Sequence, residues 1–473
     1  MTDLHYLSAT EALARFRSRD LSPVELLDAV IARAQEVEPV VNALCHTFPD
    51  VAREQALEAE RRYASGEPRP LEGIPVAIKE EEAVAGQPWT QGSLVYKDLV
   101  ADRSSAFARR HFEAGAIVHA RTTAPEFSCA GFTQSRLWGV TRNPWNPRCG
   151  VGGSSGGSGA ALAAGTATLA SGSDIGGSIR IPASFNGVVG FKPPYGRVPC
   201  DPPFNLDTYC HCGPLARTVA DCALYENALA GPDPSDIVTL RPKYVLPDTF
   251  EAEGLRVALS PDLGWAVDPE VRANTLAVGD ALRRAGVAVD EVDLVVPRDD
   301  VMLATAIHFR AMFTDWIAGM AREHADEVCA YAVEIARWCD EVAGECSYAD
   351  GLELEARLYA PVGALLEDYD ALICPTAGTR GLDADDDYVG HGLDVGGETV
   401  PYYFAALLTP VFNVMSRLPV LAVPSGFADN GVPTGVQIAG RSYDDVTVFR
   451  VGAALERERP WSDRPATIEP IGA

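Results

Sequence analysis

The sequence predicts an α/β protein in which helices cover both faces of a large mixed β-sheet. Three observations carry that prediction. Short apolar runs recur along the whole chain, stretches with helical apolar spacing separate them, and no internal repeat or long polar linker interrupts the alternation. A length of 473 residues with 47% hydrophobic and 22% charged content is enough to bury a sizeable core in an ordinary globular protein. One domain over residues 1–473 is expected. Within it a helical region should occupy residues 1–65, a core with the candidate chemistry 70–215, and a variable helical and loop region over the site 300–400.

The elements follow in chain order. Ser8 with Glu11, and Ser22-Pro23 with Glu25, have the spacing of helix N-terminal capping boxes, the second with proline at the first helical position. Leu26, Leu27, Val30, Ile31 and Ala34 then recur at helical spacing. From Gly73 to Ile78 the chain is nearly continuously apolar, which reads as a buried strand ending at Lys79. Further strands are predicted at 117–120, 188–191, 255–259, 287–294, 371–374, 420–423 and 435–438. Asp268-Pro269 and Ser347 open helices, residues 300–367 are the most helical stretch, and the Asp- and Gly-rich segment 381–399 reads as a mobile surface loop.

A formal net charge of −27 argues against nucleic acid or an anionic membrane as a direct partner. No apolar run reaches the roughly 18 residues of a membrane span and no basic-then-apolar leader opens the sequence, so a cytoplasmic protein is expected. Base rates of assembly favour a homodimer. Eleven scattered cysteines read as free thiols. The nearest approach to a metal motif is Cys210-His211-Cys212; extended backbone would put its cysteines on one face and His211 on the other, so no metal site is expected.

Residues 152–183, GGSSGGSGAALAAGTATLASGSDIGGSIRIPA, hold the candidate chemistry. A flexible linker would not carry the helix-like apolar run Ala160–Ala164 and the strand-like run Ala167–Ala170. A phosphate-binding loop needs a lysine after its glycines, and none follows. Gly152-Gly153-Ser154-Ser155-Gly156 has the letters of a nucleophile elbow, but Asn143-Pro144-Trp145-Asn146-Pro147 ahead of it is no central strand. The remaining reading is a serine hydrolase with a lysine base. Only four lysines exist: Lys79, Lys97, Lys192 and Lys243. Lys79 ends an apolar strand, whereas Lys192 runs into the turn of Pro193-Pro194. Unpaired burial that lowered the Lys79 pKa by some 3 units would cost roughly 4 kcal/mol. Ile175, Gly176, Gly177 and Ser178 supply backbone N–H groups for an oxyanion, ahead of a helix N-terminus.

These segments resemble the amidase signature family of serine hydrolases. The resemblance rests on GIPVAIK at 73–79, TRNPWNP at 141–147, GGSSGGS at 152–158, DIGGSIRIPA at 174–183 and GFKP at 190–193, with a later echo in PSG at 424–426 and PTGVQ at 433–437. It implies the amidase signature fold and hydrolysis of the C–N bond of a small carboxamide or anilide, without metal or organic cofactor. Ser178 is then the nucleophile, Ser154 the bridging serine on a cis peptide, Lys79 the base, and the N–H groups of Ile175, Gly176, Gly177 and Ser178 the oxyanion hole. Asp174 and Arg180 are expected as an ion pair bracing the Ser178 loop. Phe127, Phe132, Trp138 and Tyr209, with Phe204, Tyr402, Tyr403 and Phe404, read either as walls of an apolar substrate pocket or, for most of them, as core. The signature is shared with the transamidating component of glutamyl-tRNA amidotransferases, the alternative reading, which would act in a multi-subunit complex. The family usually has aspartate after the lysine; here Glu80-Glu81-Glu82 follow, and strand alternation should turn Glu80 away.

Overall fold

The computed structural model describes residues 3–462 and 466–468. Its centre is an eleven-stranded mixed sheet, which from edge to edge runs Leu44–Thr47, Ile117–Thr122, Pro75–Lys79, Leu169–Asp174, His211–Ala216, Val189–Lys192, Val420–Phe427, Pro433–Gly440, Ala371–Pro375, Arg256–Leu259 and Ala288–Glu291. Pro75–Lys79 is parallel to both neighbours, whereas His211–Ala216 is antiparallel to both of its own. All the predicted strands are present; the strand-like run at 167–170 becomes a full strand, and two strands that were not predicted join them. Leu44–Thr47 is a short edge strand, Leu169–Asp174 extends the Ala167–Ala170 run, and His211–Ala216 carries Pro214 in its interior.

Side-chain alternation assigns neighbouring residues to opposite faces. Ile373 belongs to the same apolar core as Val76, Ile78 and Leu26 on one face, while Leu372 and Cys374 belong to the core of Ile307, Trp338 and Leu358 on the other. Ala77 turns toward Ala160, Ala161 and Leu162 of the small-residue helix Gly156–Ala164. Lys79, two residues on, shares the side of Ala77 and so meets the serine loop that opens this helix.

Capping chemistry sets several helix starts. Ser22 and Glu25 form a complete capping box at Pro23–Val41, and Ser347 and Asp350 form another at Tyr348–Asp368. At Ala9–Ser18 only half a box forms, because Ser8 accepts from the Glu11 N–H while the Glu11 carboxylate pairs with Arg15. Asp268 does not cap Pro269–Arg284 with its side chain. Its carboxylate instead accepts the N–H groups of Arg380 and Gly396, at 3.0 and 2.9 Å, and anchors the predicted loop. That loop is also held by Arg142 on Asp385 and by a hairpin of Leu393–Val395 with Glu398–Val400.

Burial shifts several acids and histidines in ways that fix the pH dependence of folding. It pushes Glu38 and Glu456 up to about 7, Asp445 to about 6 and Glu82 to about 8. Each of these acids holds its proton more tightly folded than unfolded, so stability falls as pH rises from about 4.5 through 7 to 8. His111 and His119, lowered by burial to about 4, act oppositely and lose stability as pH falls below about 6.5. The melting temperature should therefore be highest between about pH 5 and 6.5 and drop by several degrees toward pH 8.5. Thermal scans at constant ionic strength check this; a temperature that rises steadily from pH 6 to 8.5 contradicts it.

Candidate active site

Strand Pro75–Lys79 delivers a fully buried Lys79, whose Nζ donates to Ser154 Oγ at 2.7 Å and to Ser173 Oγ at 2.8 Å. The Lys79 backbone N–H is fixed by Ser171 Oγ at 2.9 Å, so two alternate serines of the polar strand Leu169–Asp174 hold both ends of the lysine. The Gly153–Ser154 peptide is cis. Ser155 and Ser158 do not cap the helix that follows with their side chains: Ser155 Oγ reaches the Ser173 carbonyl at 3.3 Å and Ser158 Oγ the Ser171 carbonyl at 2.7 Å. These bonds tie the serine loop to the Leu169–Asp174 strand.

The carboxylates after Lys79 divide by alternation. Glu80 turns away and accepts the backbone N–H groups of Thr90 and Gly92. Glu81 comes back to the lysine side, with its carboxylate 2.9 Å from Lys79 Nζ. Burial opposes its ionisation, but the lysine charge outweighs that and holds Glu81 below its ordinary range. The expectation of an unpaired buried amine is thus corrected: the alternation that removes Glu80 supplies Glu81. Lys192 is a different case. Its Nζ donates to the Leu418 carbonyl at 2.9 Å and to two other carbonyls at 3.4 Å, and burial pushes it well below the lysine range.

Ser178 is 7% exposed, and its carbonyl accepts the Ser155 N–H at 3.2 Å, which binds the two serine loops together. Among the described residues the Ser178 hydroxyl makes no hydrogen bond. The loop ahead of it is shaped by Asp174, which accepts the N–H of Gly177 at 2.8 Å and of Ile179 at 3.2 Å. Gly177 is therefore turned away from the expected oxyanion position, since its N–H is committed to a carboxylate. The N–H groups of Ile175, Gly176 and Ser178 have no protein acceptor among the described residues. Gly177 also sits at φ +125°, and a Cβ there would collide with Thr409.

Beneath this loop lies a buried polar hub. Arg180 binds Asp174 through Nε and Nη2, both at 2.9 Å, and also reaches the Thr409 carbonyl, Gln437 and Asn413. Both charged groups are fully buried. Desolvation pushes the Asp174 carboxyl up, yet Arg180 and Asn413 together hold it well below the usual carboxylate range. Thr409 Oγ1 donates to the Gly176 carbonyl at 2.8 Å, so the segment between the short helical turns Tyr403–Ala406 and Val411–Val414 also fixes the loop.

Ser154, Ser173, Ile175 and Glu81 line a cavity of about 530 Å³. Of the aromatic candidates Phe127 and Phe204 line it, and Phe132, Trp138 and Tyr209 do not. Phe132 packs among Tyr331, Tyr388 and Tyr403, Trp138 meets His46 edge-on, and Tyr209 stacks on His308 at 3.7 Å with its hydroxyl on Glu355. Core packing claims Phe132 and Tyr209, while Trp138 is half-buried away from the cavity. The rest of the apolar wall comes from Trp89, Met312, Phe313 and Trp316. A π-helical turn at Arg310–Thr314 sets Met312 and Phe313 there, one turn before Trp316. The cluster Met312, Phe313, Trp316 on one helical stretch is the sequence signal that would have located this wall.

Among the described residues no cluster of histidine, cysteine or acidic side chains is arranged to hold a metal, and no helix is long and apolar enough to cross a membrane. The fold and this lysine–serine pair define an α/β hydrolytic enzyme of the mixed-sheet type. The family model described as Amidase matches residues 25–449, and the chain belongs to that family. It is 34% identical to an acylamidase of Rhodococcus erythropolis, covering 98% of this chain and 97% of that protein. It is 31% identical to the A component of the glutamyl-tRNA(Gln) amidotransferase of Chloroflexus aurantiacus, over 99% of this chain and 100% of that one. The solved structure of a bacterial aryl acylamidase of the amidase signature family superposes with a TM-score of 0.90 at 29% identity, covering 98% of this chain and 99% of the other. The chain is an amide-cleaving hydrolase.

Proposed function

We propose that the protein hydrolyses small carboxamides or anilides through a serine acyl-enzyme, with Ser178 as nucleophile, Ser154 as bridge and Lys79 as base. The observation that supports this best is Lys79 Nζ at 2.7 Å from Ser154 Oγ, in a loop bonded directly to Ser178. In the state in which Lys79 is neutral, its Nζ takes the proton of Ser154 as Ser154 takes that of Ser178, and Ser178 Oγ attacks the amide carbonyl. The ammonium that forms is met by Glu81, 2.9 Å away. The N–H groups of Ile175, Gly176 and Ser178 stabilise the oxyanion, and Asp174 keeps Gly177 out of that role while curving the loop. The proton returns through Ser154 to the leaving amine, and water then clears the ester.

The cavity walls favour an apolar or aryl group, in keeping with likeness to an acylamidase and an aryl acylamidase. A panel of aryl, alkyl and cyclic amides tests the assignment, together with fluorophosphonate labelling. Expected are amine release from anilides and a label on Ser178; no turnover across the panel with a label elsewhere overturns it. Likeness to the amidotransferase component raises transamidation as a second activity, which the charge of −27 disfavours for a tRNA-handling chain. Co-purifying partner chains and activity only in their presence would reverse that order.

Trp316 meets Phe127 edge-on at 4.9 Å in the cavity wall, and Trp316 is 44% exposed. Trp316→Ala should raise KM for anilides about tenfold while kcat changes by less than about threefold, because the ring contributes equally to ground and transition states. Steady-state kinetics on an anilide and a short aliphatic amide check this. An equal effect on both substrates, or a loss confined to kcat, contradicts it.

A further inference from the structure

Cys200 and Cys212 share an apolar core with Cys222 but, unlike it, also line a cavity together with Cys210. Cys129, Cys222, Cys339 and Cys374 are buried in the apolar cores, where desolvation pushes their thiols up. Cys200, Cys210 and Cys212 converge from two segments on the wall of the substrate cavity, and the same three line a small void of about 10 Å³ behind it. Cys212 lies in strand His211–Ala216 and Cys210 immediately before it. Extended backbone puts both on one side, while His211 points the other way and is tied to the carbonyls of Asp174 and Ser416. Cys200 arrives on the loop that leads to Pro202, Pro203 and Phe204, which also line the cavity.

The geometry is close. Cys200 Sγ and Cys212 Sγ are 3.2 Å apart, both thiols are free, and about 1 Å of approach separates them from a bond. Cys212 Sγ also lies 3.6 Å from Glu82 Oε1, and the Cys200 N–H is pinned by Asp236 at 3.1 Å. The catalytic serines, Lys79 and the Asp174–Arg180 hub use none of these sulfurs.

We propose that Cys200 and Cys212 form a peroxide-oxidisable thiol site in the cavity wall, whose disulfide changes the shape and polarity of the substrate pocket. Cys200 Sγ donates to Cys212 Sγ while it is protonated; once it is ionised, the neighbouring Cys210 and Cys212 thiols can donate to it and favour its thiolate, the attacking form. Its sulfur attacks one oxygen of a hydroperoxide; the S–O bond forms, the O–O bond breaks and water leaves after protonation. Cys212 sulfur then attacks the Cys200 sulfenic acid, so the S–S bond forms, the S–O bond breaks, and the thiol proton departs with the hydroxyl as a second water. Two thiols and one hydrogen peroxide thus give one disulfide and two waters. The bond tethers the loop of Pro202, Pro203 and Phe204 to the sheet, and it removes the thiol that faces Glu82.

The test is oxidation of the full-length protein with one equivalent of hydrogen peroxide, read by intact mass and by non-reduced peptide mapping. Expected is a loss of about 2 Da, a Cys200–Cys212 link, and its disappearance with dithiothreitol. Cys200→Ser should abolish the mass loss, and Cys339→Ser, in the helical core, should not. A Cys200–Cys210 link, an undiminished mass loss in Cys200→Ser, or oxygen addition without disulfide overturns the proposal. The amidase arm is read separately. kcat/KM on an anilide should fall several-fold on oxidation and recover on reduction, and unchanged kinetics with the link present overturn the effect on the pocket. The mass readout stands whether or not Ser178 is the nucleophile, so failure of the two readings is distinguishable.

Discussion

Ser178→Ala is expected to lower kcat by roughly 10⁴-fold or more and to leave the stability of the protein within about 1 kcal/mol of its starting value. The separation of the two effects follows from the geometry. The Ser178 hydroxyl makes no hydrogen bond among the described residues, so truncation orphans no buried partner, while the proposed chemistry loses its attacking atom. Lys79→Ala is a less clean experiment, because it strips Glu81 of the cation 2.9 Å away and leaves Ser154 and Ser173 without their donor. Ser173→Ala provides the internal control. Ser173 shares Lys79 Nζ with Ser154 at nearly the same distance, so geometry at the lysine does not alone choose between them. What favours Ser154 as the bridge is its place next to Ser155, whose N–H binds the Ser178 carbonyl. Ser173→Ala should cost no more than about tenfold, as loss of one partner that orients the amine. Anilide hydrolysis measured beside urea unfolding decides the matter. Full activity in Ser178→Ala moves the nucleophile elsewhere, and Ser173→Ala as damaging as Ser154→Ala moves the bridge.

Apolar runs made most of the sheet legible. Ile74–Ile78, 371–374 and 420–423 are strands whose both sides are buried, and continuous hydrophobicity is what such strands require. Of the two central strands the site uses, one was legible only in its first half and the other escaped. Leu169–Asp174 ends in Ser171, Ser173 and Asp174, polar residues that hold Lys79 and shape the Ser178 loop, so its second half has no strand-like character. His211–Ala216 contains Gly213 and Pro214, residues that argue against a central strand, and it too lies beside the site, paired with Leu169–Asp174 through Asp174 and His211. The candidate residues themselves were readable because serine, glycine and lysine cluster in short segments. Their surroundings were less so. The return of Glu81 onto Lys79 needed the turn after the strand, and the Met312, Phe313 and Trp316 wall needed a helix to arrive from more than a hundred residues away in sequence. Phe132, Trp138 and Tyr209 misled because nearness in sequence to the serine block says nothing about which side of the sheet a ring packs on.

Asp174→Asn should destabilise the protein by about 3 to 5 kcal/mol and also suppress turnover. The substitution preserves shape and leaves the Arg180 guanidinium fully buried without its counter-charge, among groups that cannot supply one: the Thr409 carbonyl, Gln437 and Asn413. An uncompensated buried cation is among the more costly defects a core can hold. Activity falls for a separate reason. The two Asp174 oxygens hold the N–H groups of Gly177 and Ile179 on either side of Ser178, and an amide presents only one acceptor oxygen to those donors and to Arg180. The loop that presents Ile175, Gly176 and Ser178 N–H groups to the oxyanion then loses its template, so kcat should fall more than KM changes. Acid supplies an independent route to the same defect. Arg180 and Asn413 outweigh desolvation and hold the Asp174 carboxyl well below its ordinary range, so its contribution is present above the unfolded carboxyl pKa and lost only as pH falls through the lower folded value. Asp174→Asn should accordingly flatten the acid side of the stability curve while leaving the alkaline side as it was. Replacing both partners, as Asp174→Asn with Arg180→Met, should restore part of the stability without restoring turnover, because the buried charge is gone but the loop still lacks its template. Urea unfolding and anilide kinetics on the single and double variants measure both effects; a single variant less stable by under 1 kcal/mol, or a double variant that recovers full kcat, contradicts this account of the hub.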